Sequence, residues 1–97
     1  MKHVLENEKL TIYLEGELNS FTAEQAENDI EQIVKENKFQ SLDIDFKDLY
    51  YISSAGIRII IRLKQRYDDT SLVNVPDEIF KIFDMVGLSN VLTIKRL

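Results

Sequence analysis

Two adjacent hydroxyls, Ser53 and Ser54, lie in the stretch Tyr51-Ile52-Ser53-Ser54-Ala55-Gly56-Ile57-Arg58, where an extended segment gives way to a helical pattern. The first turn of a helix has unpaired N–H groups and partial positive charge. A serine there can serve as a plain N-cap, and the same place accommodates a phosphate. Both readings are open for this pair. Gly56 falls in that first turn, where glycine costs up to ~1 kcal/mol relative to alanine. Its presence implies close approach to the backbone, either by another molecule or by a tightly packed neighbouring strand. Arg58 follows Ser54 by four residues, and helical side chains lean toward the N-terminus, so it can reach a group carried on Ser54. Arg58, Arg62 and Arg66 form a basic ridge that is either a solvated face or a docking surface.

Other chemistries are poorly supplied. The chain has no cysteine and one histidine, His3, expected to be an exposed end residue. A hydrolytic serine would lack a base. The three glycines, Gly16, Gly56 and Gly87, cannot build a G-x-x-x-x-G-K-[ST] phosphate loop. No enzyme activity, metal or cofactor is expected. A net charge of −5 argues against nucleic acid as a partner. No apolar run approaches the roughly 20 residues of a membrane span. The opening MKHVLENEKL lacks the apolar core of a signal peptide. The expected location is the cytoplasm, without membrane insertion.

The elements that would position the serines follow from periodicity. Leu10, Ile12 and Leu14 alternate with polar residues and predict a strand with one buried face. A short strand over His3 to Glu6 could join it as a hairpin across Asn7-Glu8. Ala23, Ala26, Ile30, Ile33 and Val34 fall at helical spacing, with Ser20 or Thr22 available as cap. Glu24, Glu27, Asp29, Glu31 and Glu36 lie largely off that stripe and read most simply as a solvated face, with a partner-binding role as the alternative. Ser41 to Phe46 alternates again, and its polar second face predicts helices mainly on one side of the sheet. Lys47 to Ile52 reads as a connecting segment into the second helix, which runs to about Tyr67. Leu72 to Val75 is a short strand. Pro76 suits the first turn of a third helix, with Asp77 and Glu78 at its positive end. Ile79, Phe80, Ile82, Phe83 and Val86 form its apolar side, and Gly87 sits where a left-handed cap is expected. Val91 to Ile94 reads as a last strand or as packing for the terminus.

Strands alternating with helices predict an α/β fold with parallel pairs and right-handed crossovers. About four to five strands and three or more helices are expected in one domain over residues 1–97.

The segment DFKDLYYISSAGIRIIIRLK resembles the signature of the STAS domain, named for sulfate transporters and anti-sigma factor antagonists. The resemblance takes in GELNSFTAEQAE, DIDF and VPDEIFKIFDMVGL in the same order. It implies a STAS-like fold and, for a minimal domain, an anti-sigma factor antagonist. The implied partners are a protein that is both anti-sigma factor and serine kinase, and a cognate serine phosphatase. The unphosphorylated antagonist binds the former and frees a sigma factor for transcription; phosphorylation at the start of the second helix blocks that binding. The family pattern is aspartate, phosphorylated serine, serine or threonine, glycine. It places the phosphorylated residue at Ser54, with Ser53 as second choice. Ser53, Ala55 and Asn19 depart from the pattern, since the family favours aspartate, a hydroxyl residue and aspartate there. The expected partner-binding surface is Asn19, Ser20, Ser53, Ser54, Ala55, Gly56, Arg58 and Arg62. The wet sheet face and an exposed edge would also permit a homodimer. The competing expectation is a constitutive STAS subunit of a larger assembly, such as a lipid transporter or a stress-sensing complex, with Ser54 acting only as a cap.

Overall fold

The computed structural model describes residues 1–97. In chain order its elements are β1 (His3–Glu6), β2 (Lys9–Leu18), α1 (Ala23–Glu36), β3 (Ser41–Ile52), α2 (Ser54–Arg66), β4 (Thr70–Val75), α3 (Asp77–Met85) and β5 (Thr93–Arg96). The five strands form one sheet in the order β1-β2-β3-β4-β5. β1 and β2 are antiparallel, and the other neighbours are parallel. The hairpin turns on Asn7 and Glu8, both at positive φ (51° and 65°), the primed geometry that matches strand twist. Each parallel pair is joined by a helix, because a parallel connection must travel the length of the sheet.

Alternation sets which face is covered. Leu10, Ile12 and Leu14 of β2, and Leu42, Ile44 and Phe46 of β3, are buried. They join Ile30, Ile33 and Val34 of α1, Ile57, Ile59, Ile60 and Leu63 of α2, and Ile79 and Phe83 of α3 in one apolar cluster. The helices therefore cover one face, as the alternation predicts. Phe46 and Phe83 meet edge to face at 6.0 Å, worth about 0.5–1.5 kcal/mol beyond area burial. Thr11, Tyr13 and Asp43 lie half-buried on the opposite face. Asp45, also buried, is satisfied there: its carboxylate accepts from the Lys47 amide (2.9 Å) and from Asn74 Nδ2 (2.9 Å).

Four local expectations are corrected. Lys47 to Ile52 continues β3 as strand. Its buried residues, Phe46, Leu49 and Ile52, recur every third position because the β2–β3 register shifts between Tyr13 and Glu15 and again between Gly16 and Glu17. Bulges of this kind remove the two-residue period that marks a strand. Gly16, at φ 75°, sits within the shifted stretch. At α1, neither Ser20 nor Thr22 caps by its side chain. Pro76 occupies the N-cap of α3, one residue ahead of the first turn in which it was expected. Val86 lies past the end of α3, at φ −91° and ψ 8°, and is exposed. Gly87 is the left-handed residue expected there, at φ 77°. The Leu88 amide donates to the Phe83 carbonyl (2.9 Å) and the Gly87 amide to that of Asp84 (3.1 Å), a Schellman closure. The last strand begins at Thr93, with Leu92 buried beneath it and Val91 exposed.

One end of the sheet is narrower than its middle. β1 pairs with β2 only from Lys9 to Ile12, and β4 pairs with β3 only from Leu42 to Asp45. Beyond those limits β2 and β3 continue together as a two-stranded ribbon, Glu15 to Leu18 against Asp48 to Ile52. This ribbon delivers the chain to the start of α2.

Candidate functional site

Ser53 and Ser54 sit where the ribbon ends and α2 begins. The Ser53 amide donates to the Leu18 carbonyl at 2.8 Å, tying the turn to the end of β2. Ser53 has extended backbone (φ −98°, ψ 176°) and is the N-cap. Its Oγ accepts from the Gly56 amide at 3.5 Å, a long bond that leaves the turn weakly capped. Ser54 is the first helical residue and its side chain is exposed. No acidic side chain occupies the first turn of α2, so the positive end of the helix is uncompensated by the chain itself. A plain cap and a modifiable hydroxyl are thus divided between neighbours: Ser53 caps and Ser54 faces outward.

Gly56 resolves the question left by its cost in a helix. A Cβ there would stand 2.8 Å from Ile52 Cγ1 and 2.8 Å from Leu18 Cγ. The close approach comes from the domain's own strands, and the first turn of α2 lies flat on the ribbon as a result. Ala55 is half-buried and packs against the core.

The loop from β2 to α1 stands beside this turn. Asn19 Oδ1 accepts from the amides of Phe21 (2.8 Å) and Thr22 (3.0 Å). The Thr22 hydroxyl donates to the Glu17 carbonyl (2.9 Å) and accepts from the Asn19 amide (2.9 Å). Asn19 therefore does the capping that Ser20 and Thr22 were expected to do, because its side chain reaches two amides at once. Ser20 is exposed at the tip.

The basic ridge is divided by what α1 offers it. Arg62 binds Glu27, with Nη2 at 2.6 Å and Nε at 2.8 Å from one carboxylate oxygen. Arg66 binds Glu31 at 3.1 Å. The acidic face of α1 is thus partly turned to α2 instead of being wholly solvated. Arg58 is exposed and has no carboxylate within ion-pair distance, which leaves it the free cation nearest Ser54 along the helix.

Three aromatic side chains at this end escaped sequence reasoning. Phe21 is 93% exposed, Tyr50 66% and Tyr51 45%. The available signal was an apolar residue within the otherwise polar Asn-Ser-Phe-Thr turn, and a tyrosine pair where alternation fails.

A mixed five-stranded sheet with three helices on one face, and a serine exposed where a strand passes into the central helix, defines a STAS-type domain. The model of the STAS domain matches residues 2–96, and the chain belongs to that family. Among curated proteins, the anti-sigma-B factor antagonist of Listeria monocytogenes is 28% identical over 96 residues, covering 94% of this chain and 82% of that protein. Among solved structures, the anti-sigma factor antagonist SpoIIAA in its unphosphorylated form superposes with a TM-score of 0.72 at 22% identity, covering 96% of this chain and 87% of that one. The Bacillus SpoIIAA in the phosphorylated form gives 0.64 at 22% identity, covering 96% and 90%. A sulfate transporter family protein from Wolinella succinogenes gives 0.75 at 11% identity, covering 97% and 82%. At these identities the structures speak to the fold. The curated relative is named as an antagonist of a protein factor, in keeping with a protein that works by binding. No helix is long and apolar enough to cross a membrane.

Proposed function

We propose that this chain is an anti-sigma factor antagonist controlled by phosphorylation of Ser54. The observation that carries the reading is the exposed hydroxyl of Ser54 at the start of α2, beside the Asn19 loop and within a STAS fold. The antagonist name of the curated relatives and the two phosphorylation states of SpoIIAA support it. The unphosphorylated chain binds an anti-sigma factor that is also a serine kinase, and so frees the sigma factor. The kinase moves the γ-phosphoryl group of ATP to Ser54 Oγ, and ADP departs. A cognate serine phosphatase hydrolyses the ester and resets the cycle. A cytoplasmic location belongs to this reading.

The physical basis is charge. A phosphoserine adds about −1.5 to −2. The folded domain tolerates it at a helix N-terminus with Arg58 one turn on. A partner packed flush on that turn would bury the group without a counter-charge, at a cost of several kcal/mol. Binding is lost while the fold stays intact.

The test is a phosphopeptide map after incubation with the kinase of the same organism and ATP. Label on Ser54 is the expected result. Label on Ser53 would move the site by one residue, and label on neither would overturn the switch. The fold likeness to a sulfate transporter family protein favours a second reading, a constitutive subunit of a larger assembly in which Ser54 is never modified. Ser53 and Ala55, which depart from the family pattern, agree with that reading as well.

A further inference from the structure

We infer that Phe21 is the apolar anchor of the partner interface, received by an apolar pocket with a basic rim on the anti-sigma factor. This rests on the functional reading above and adds the residue and the complementary chemistry. Phe21 is 93% exposed, the most exposed large apolar side chain in the molecule. It is also held firmly. The Asn19 carboxamide binds its amide, and the Thr22 hydroxyl ties the same turn back to Glu17 and Asn19. An aromatic side chain on a backbone fixed in advance has only its own two torsions to order on docking, which favours such residues as interface anchors.

Its position joins it to the phosphorylation site. Leu18, three residues before Phe21, accepts the Ser53 amide at 2.8 Å and lies against Gly56. The aromatic ring and the Ser54 hydroxyl thus rise from two turns that share one support. Behind the ring lies a groove of about 440 Å³ between β2 and α1, with Leu14, Leu18, Ala26 and Leu49 in its lining. The ribbon edge forming one wall is strand that β1 does not cover. A partner seated on Phe21 would cover this groove in the same contact.

Charge selects the rim of the partner's pocket. Glu15, Glu17 and Asp29 line the groove with Phe21, outnumbering Lys2 there, and Glu24, three residues after Phe21 in the first turn of α1, is exposed. In a chain of net charge −5 this end favours lysine or arginine on the opposing surface.

The experiment measures binding of the intact chain to the purified anti-sigma factor kinase of the same organism, by calorimetry and at several salt concentrations. Phe21→Ala is expected to weaken affinity by about 30-fold or more, with the melting temperature unchanged and Phe21→Leu restoring most of the loss. Glu17→Gln with Glu24→Gln is expected to slow association and flatten its salt dependence. Binding of Phe21→Ala within about twofold of the unsubstituted chain would overturn the anchor while leaving the functional reading in place. An unsubstituted chain that binds no anti-sigma factor would overturn both.

Discussion

Gly56 lies so close to Leu18 that a methyl group on the glycine would reach Leu18 Cγ at 2.8 Å. Leu18 is buried at the end of β2, and the atoms it presents are the branch point and a methyl of a packed side chain. Neither can swing aside freely. The contact fixes how flat the first turn of α2 lies on the ribbon, and with it the height at which Ser54 is displayed.

Gly56→Ala should therefore destabilise the domain even though alanine is the better helix former. Overpacking of a core costs about 1–3 kcal/mol, and the propensity gain returns up to ~1 kcal/mol of it. A net loss of about 1–2 kcal/mol corresponds to a fall in melting temperature of roughly 4–16 °C in a domain of this size. A thermal melt reads it directly, and Leu18→Ala in the same chain should recover part of the glycine-specific loss.

Ser54→Asp should separate stability from binding. A carboxylate at the first position of α2 meets the positive end of the helix and contributes about 0.3–1 kcal/mol. The expected melting temperature is equal to or slightly above that of the unsubstituted chain. Binding to the anti-sigma factor should fall at least tenfold, while Ser54→Ala keeps it. Equal affinity of the two variants would remove the switch.

Ser53→Ala removes the only side-chain bond at the start of α2. Because that bond is long, at 3.5 Å, the loss should sit near the lower end of the capping range, about 0.5 kcal/mol. Asn19→Ala should cost more, about 1 kcal/mol, since two amides lose their side-chain acceptor. Urea melts of the two variants would rank them.

Arg62→Ala and Arg58→Ala should differ in what they change. Arg62 holds Glu27 across the α1–α2 seam, and a half-exposed pair of this kind is worth up to about 1 kcal/mol. Arg58 holds no carboxylate, so its removal should leave stability within about 0.5 kcal/mol. The Arg58 variant should instead lose tolerance of phosphate at Ser54. Comparing melts of phosphorylated and unphosphorylated protein, with and without Arg58, checks this.

Much of the architecture was legible in the chain. The alternation of Leu10, Ile12 and Leu14, the helical spacing of Ile30, Ile33 and Val34, and Gly87 as a left-handed cap all carry their meaning locally. The hairpin across Asn7 and Glu8 did too. What escaped depends on tertiary partners. The C-terminal half of β3 was missed because bulges change its burial period from two to three. Gly56 showed that something came close but could not say whether it came from inside or outside. The ridge of three arginines looked uniform until α1 supplied Glu27 and Glu31 to two of them. Phe21 and Tyr51 were invisible as surface features, since an apolar residue in a sequence reads first as core.

The ribbon that carries β2 and β3 past their neighbours has one more implication. Strand amides in the middle of the sheet are flanked on both sides, whereas those of Glu15 to Leu18 have a single neighbour strand. Hydrogen exchange should therefore be faster at that tip than in the middle of the same two strands, with local opening below the free energy of global unfolding. The strand support beneath the docking end would then loosen before the broad base of the sheet does, while the Asn19 turn keeps Phe21 in its place.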